Sequence, residues 1–254
     1  MYRRLLILAI LMSVAGCSSK PAPPAPLRVA AASDLQTALP VLITRFKLDT
    51  GIDVEAAFGS SGQFAQQIKA GAPFDLFLAA NRSYVEDLAK AGEIRPESVR
   101  TYARGTIVLV VNTLYDSGIK TLAELADPKV KSIAIANPDI APYGAAAKQA
   151  LERAGLWDAV KPKLVPAESV RQALQFVQTG NAEVGIVGRA IAVVKEVRII
   201  PLAPEAADPI VQGLGIVADS KRKDDAERFA KFLLGEVGQA ILRDFGFLSI
   251  GSTP

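Results

Sequence analysis

Two serines stand where short apolar runs give way to polar sequence: Ser33 at the end of "RVAAAS" and Ser61 at the end of "EAAFGSS". Each reads as the first residue of a helix that follows a strand. Each joint therefore offers a hydroxyl and first-turn backbone N–H groups that no helical carbonyl can satisfy. Neither joint carries a Lys or Arg. Helix starts bear partial positive charge, so two donor-rich starts without a cationic side chain suit an anion held by neutral donors. A fully deprotonated oxyanion has only acceptors and is satisfied by such a shell, whereas a protonated phosphate would leave its O–H unpaired. The run Gly59, Ser60, Ser61, Gly62 also has a plainer reading, as a strand-to-helix joint with a capping serine.

Composition removes several other chemistries. None of the 254 residues is histidine, which excludes Ser-His-Asp and Cys-His catalysis and every histidine metal site. A secreted serine hydrolase built on Ser60 or Ser61 would need a lysine base such as Lys69, and "GSSG" lacks the G-x-S-x-G elbow. The one cysteine, Cys17, allows no internal disulfide and leaves no thiol for metal or redox work. A formal charge of +3 without a basic block gives nucleic-acid binding no support. No cofactor is expected.

The elements that must position the serines alternate along the chain. "LRVAAAS", "IDVEAAF", "FDLFLAA", "TIVLVVN", "SIAIANP", "AEVGIVG", "VRIIPL" and "IVQGLGIV" read as strands, with helices between most of them. Residues 34–47 carry apolar side chains at helical spacing, with a kink expected at Pro40. Ser83 with Glu86, Thr121 with Glu124, and Ser169 with Gln172 have capping-box spacing, and Gly92 and Gly155 close helices. The alternation predicts an α/β fold with mainly parallel sheets, whose ligands bind at the carboxyl ends of strands.

Ahead of the fold, residues 1–16 have the basic start and short apolar run of a signal peptide. "VAGC" resembles the bacterial lipobox, which implies lipidation of Cys17 after cleavage. The Pro-rich residues 17–26 then read as a tether.

Four longer stretches, "AAASDLQTALPVL", "FGSSGQFAQQIKAGAPFDLFLAAN", "ANPDIAPYGAAAKQAL" and "PKLVPAESVRQALQFVQTGNAEVGIV", together resemble the periplasmic molybdate-binding proteins of ABC transporters, the ModA family. The resemblance implies a two-lobed type II periplasmic-binding-protein fold hinged on two crossover strands, placed near "TIVLVVN" and "VQGLGIV". Lobe 1 would comprise residues 27–108 and 213–254, and lobe 2 residues 109–212. It implies a non-enzymatic, lipid-anchored receptor, a monomer facing the periplasm or cell exterior, that captures molybdate or tungstate for a membrane permease. Another tetrahedral oxyanion such as sulfate is the alternative ligand.

Carried over residue by residue, the resemblance puts hydroxyl and amide donors at Ser33 and Ser61 and backbone amides at Tyr143 and Val170. The metal enters only within the molybdate or tungstate oxyanion held by these same residues. Two positions stand out against the family pattern. Many members have a tyrosine after "GIV" where this chain has Gly188, and a subgroup with tyrosine in "APYG" suggests that the Tyr143 hydroxyl replaces it. Asp34 is expected to cap its helix with the carboxylate turned away from the anion, its N–H still available.

Overall fold

The computed structural model describes residues 25–115 and 118–250. The signal peptide, Cys17 and all of the tether except residues 25 and 26 lie outside them. The chain runs β1 (Leu27–Ala32), α1 (Leu39–Thr50), β2 (Val54–Gly59), α2 (Ser61–Lys69), β3 (Leu76–Ala79), α3 (Arg82–Lys90) and β4 (Arg100–Gly105). It continues with β5 (Ile107–Asn112), β6 (Ile133–Ala136), α4 (Pro142–Arg153), α5 (Trp157–Val160), β7 (Leu164–Ala167), α6 (Val170–Gln178), β8 (Val184–Gly188) and β9 (Val197–Pro201). The last elements are β10 (Ile210–Ile216), α7 (Lys223–Leu234) and α8 (Glu236–Asp244).

These strands form two five-stranded sheets of matching order, β2-β1-β3-β10-β4 and β7-β6-β8-β5-β9. Both are mixed rather than mainly parallel. In the first, β1 runs parallel to β2 and β3 while β10 is antiparallel to β3 and β4. In the second, β6 runs parallel to β7 and β8 while β5 is antiparallel to β8 and β9. The reversed strand is the one that has just arrived from the other sheet, so the crossovers themselves make the sheets mixed. Boundaries drawn after residue 108 and before 213 fall inside β5 and β10; the chain changes sheet earlier, at Gly105–Thr106 and between Pro201 and Ile210.

Each lobe has its own core. Every residue of β5 is buried, as its unbroken apolar sequence requires for a strand covered on both faces. In the first lobe, the return of the C-terminal segment is fixed by Phe46 of α1 packing edge-on to Phe229 of α7, with ring centroids 4.9 Å apart. Such a pair contributes about 0.5–1.5 kcal/mol beyond its buried area.

Two local expectations are corrected. Instead of one kinked helix over 34–47 there is a 3₁₀ turn at Ser33–Leu35, and α1 begins afresh at Leu39 with Pro40 in its first turn. Proline fits there because its missing N–H would be unpaired in any case. Likewise α3 is capped by Asn81, whose side chain accepts from the Ser83 N–H, while Glu86 pairs with Arg82 rather than closing a box with Ser83. The Thr121–Glu124 pair is half a box: Glu124 accepts from the amides of Lys120 and Thr121 ahead of a 3₁₀ turn. The Ser169 cap on α6 forms, but its box does not close: the Gln172 side chain accepts from the Glu168 N–H instead of the Ser169 N–H.

Candidate functional site

Ser33, Asp34, Ser61, Tyr143 and Val170 line one small cavity between the two sheets. The sheet topology explains why. β1 and β2 in the first sheet occupy the places that β6 and β7 occupy in the second. Each of these four strands points its carboxyl end at the cavity and is followed by a helical turn. Ser33 is the first residue of the turn after β1, Ser61 the first of α2 after β2, and Val170 the first of α6 after β7. Tyr143 follows Pro142 at the start of α4. All four therefore present amides from the unpaired first turn, at the positive end of a helical element.

The joint at Gly59–Gly62 divides the two readings of its serines between them. Ser60 is the cap: its Oγ accepts from the Gln63 N–H, and the Gln63 side chain accepts in return from the Ser60 N–H. Ser61, fully buried, has its Oγ accepting from the Ala80 N–H at 2.9 Å. A hydroxyl has one proton to give, and with Ala80 occupying a lone pair that proton is left for a ligand. Ser169 repeats the Ser60 role ahead of Val170 by accepting from the Gln172 N–H. In both lobes, then, the capping serine stands one residue before the lining residue.

The cavity lining contains neither Lys nor Arg, and its one ionisable acid is Asp34. The expectation for that residue is overturned. Asp34 is no cap: the turn at Ser33–Leu35 follows Ala32 without a side-chain cap. Its carboxylate is wholly buried and accepts at Oδ2 from the Tyr143 hydroxyl, at 2.8 Å, and from Gln212 Nε2. Gln212 Nε2 also lies 3.0 Å from the Tyr143 oxygen. Burial pushes the Asp34 carboxyl up to about 6, against the opposing pull of the Tyr143 and Gln212 hydrogen bonds. Burial, and then the charge of Asp34, hold the Tyr143 hydroxyl well above its ordinary value, so it stays protonated.

The same contact corrects the expected role of the Tyr143 hydroxyl. Its proton goes to Asp34, which leaves Tyr143 only its backbone to offer an anion. Gly188 is linked to this arrangement by volume rather than by a lost donor. A Cβ there would lie 2.8 Å from the Tyr143 ring, and one at Gly105 would overlap the Tyr143 hydroxyl. The ring occupies the space that side chains at 105 and 188 would need.

The lobes are closed on each other. The Gly62 N–H donates to Ile140 O at 3.1 Å, and the Thr37 hydroxyl donates to Ala190 O at 3.1 Å, both across the cleft. A Cβ on Gly62 would sit 2.7 Å from Ile140 O, so glycine is what permits this approach. Sequence reasoning missed Gln212 and the Ala80 amide. Gln212 did leave a signal, as the one polar side chain inside the apolar run "IVQGLGIV". No hydrolytic constellation forms around these serines. Lys69 is the last residue of the helix that Ser61 begins, about 12 Å away along its axis. Among the described residues no group of His, Cys, Asp and Glu could hold a metal ion. A larger cavity of about 430 Å³, by the two crossovers, is lined mainly by apolar residues such as Ile107, Pro201, Leu202 and Leu248.

Residues 27–248 match the family model described as bacterial extracellular solute-binding protein. The molybdate-binding protein ModA of Azotobacter vinelandii is 35% identical over 95% of this chain and 96% of its own. YvgL of Bacillus subtilis strain 168, named as an ABC transporter substrate-binding lipoprotein, is 34% identical over 94% of this chain and 95% of its own. The solved structure of the Azotobacter vinelandii periplasmic molybdate-binding protein superposes with a TM-score of 0.80 at 33% identity, covering 87% of this chain and 98% of that one.

Proposed function

The chain belongs to the bacterial extracellular solute-binding proteins and, within them, to the ModA family, and from that premise we propose that it captures molybdate or tungstate and delivers it to an ABC transporter permease. A member of this family is a binding protein and not an enzyme. The observation that carries the ligand reading is the convergence of four helix starts, two from each lobe, on one small cavity without a cationic side chain.

In this reading Ser33 and Ser61 donate through hydroxyl and amide, and Asp34, Tyr143 and Val170 through their amides alone. An all-donor shell satisfies a tetrahedral dianion and rejects an oxyanion that keeps a proton, which favours molybdate, tungstate and sulfate over hydrogen phosphate. Between the first three, size decides. Binding draws the lobes together about the crossovers at Gly105–Thr106 and 202–209, with residues up to 105 and from 210 onward moving as one lobe. The closed surface is what the permease recognises. Cys17 carries the lipid anchor, a role supported by the lipoprotein name of the Bacillus subtilis relative, and Cys17→Ser releases the protein from membranes without altering anion binding.

Calorimetric titration of the purified protein with molybdate, tungstate, sulfate and phosphate tests this. Tight binding of the first two is expected, and a protein that binds sulfate more tightly than either overturns the assignment.

A further inference from the structure

Asp34 is the one feature of the cavity that opposes a dianion. A carboxylate and an oxyanion enclosed together repel, and the closed cleft removes the water that would screen them. The groups acting on the Asp34 carboxyl are Tyr143 from α4, Gln212 from β10 and the amides of Asp34 and Leu35. Tyr102 from β4, itself fully buried, feels the Asp34 charge. The elements packed against the Ser33–Leu35 turn, namely β2, α6 and the turn at Arg189–Ile191, carry Glu55, Arg171 and Arg189. Neither arginine forms an ion pair with Asp34. Its Oδ1 is buried and has no hydrogen-bond partner, which is where a proton on the carboxyl could reside.

We propose that closure of the lobes over the oxyanion takes up one proton at Asp34, so that the neutral acid, latched to Tyr143 across the cleft and to Gln212, faces the bound dianion. This rests on the oxyanion-receptor reading above. Opening separates Tyr143 from Asp34 and admits water, which removes the burial that holds the carboxyl above its ordinary range. In the closed structure burial holds it at about 6, and an enclosed dianion moves it further in the same direction. The closed, occupied state thus holds more protons than the open one above the ordinary aspartate range. Linkage then makes affinity fall as pH rises through that window and level off above the pKa of the occupied state. Release is favoured wherever the site meets a more alkaline surface.

The test is calorimetry of molybdate binding in buffers of different ionisation enthalpy from about pH 6 to about pH 8.5, on the parent and on Asp34→Asn. The asparagine keeps an acceptor for Tyr143 and places an amide N–H where the acid would carry its proton. Expected for the parent is uptake approaching one proton at the lower end of the range, with Kd rising by up to about tenfold per pH unit before it levels off. Asp34→Asn should show no uptake, a flat profile, and binding at least about tenfold tighter than the parent at the alkaline end. Binding by the parent without proton uptake overturns the proposal, and so does equal uptake by the variant, since the proton would then reside on the anion. The parent's proton count stands without the variant should the latter fold poorly. A parent that binds none of the four oxyanions overturns the receptor reading and this proposal together.

Discussion

The two lobes have the same strand order and the same placement of helix starts, yet they address the cavity by different chemistry. Lobe 1 supplies side-chain hydroxyls at Ser33 and Ser61. Lobe 2 supplies Tyr143 and Val170, whose side chains are committed to packing and to Asp34, so that only the main chain remains. One fold has been used twice, and under the oxyanion reading proposed above a helix start needs no particular side chain to serve an anion; it needs the backbone in place and room for approach. In lobe 1, substitution should therefore act by removing donors. In lobe 2 it should act through shape.

The sharpest break is at the seam. Gly62→Leu puts a side chain against Ile140 O, and closure should be lost while the open lobe stays folded. Binding should weaken by more than about a hundredfold, on the order of 3 kcal/mol or more, with an unchanged ligand-free melting temperature. Solution scattering should show no compaction on adding molybdate.

Next comes the contrast between adjacent serines. Ser61→Ala removes a donor to a charged ligand, about 1.5–3 kcal/mol or roughly ten- to hundredfold in affinity. It also strips the buried Ala80 N–H of its acceptor, so the melting temperature should fall too. Ser60→Ala should cost about 1 kcal/mol of stability as a lost cap and leave affinity within about twofold. Equal affinity losses at the two positions would dissolve the division of labour at this joint.

Lobe 2 should respond through volume. Gly188→Tyr forces a ring into the space of Tyr143 and should destabilise the closed state by about 1–3 kcal/mol. Tyr143→Ala made together with it should recover part of that loss, a coupling read from a double-mutant cycle of molybdate affinity. The smallest effect on binding belongs to Val170→Ala. The amide survives, so affinity should stay within about twofold while stability drops by on the order of 1–2 kcal/mol.

The same contrast explains what could be read in the sequence. Ser33 and Ser61 announce themselves because a hydroxyl after an apolar strand is a residue type with a chemistry. Val170 is indistinguishable from any core valine, since the contribution proposed for it is an N–H that every residue but proline has; only resemblance to a family located it. Alternation revealed the α/β class and most elements. It did not reveal that β5 and β10 run backwards in their sheets, because reversal depends on where the chain crosses over and not on local pattern. The Asp34 carboxylate was misassigned because its partners, Tyr143 and Gln212, lie 109 and 178 residues away. Local grammar offered a cap, and tertiary contact overrode it. Pro40 and Ser83 erred by a few residues for a local reason, since each has a legitimate place within a first turn as well as beyond it.

The insertion of β10 between β3 and β4 has a consequence for how the molecule comes into being. All five strands of the second sheet lie in one unbroken stretch, from β5 to β9, and that lobe can complete itself from consecutive sequence. The first sheet cannot, because its fourth member arrives only after the whole of the other lobe has been threaded past. Long loop closure is slow relative to local pairing, and domains tend to assemble as units. Lobe 2 should thus form early as a finished half, while β3 waits as an open edge, and β4 without a strand to pair with, for a partner more than a hundred residues downstream. Competence for ligand should appear last, when β10 enters the gap and brings Gln212 up to Asp34.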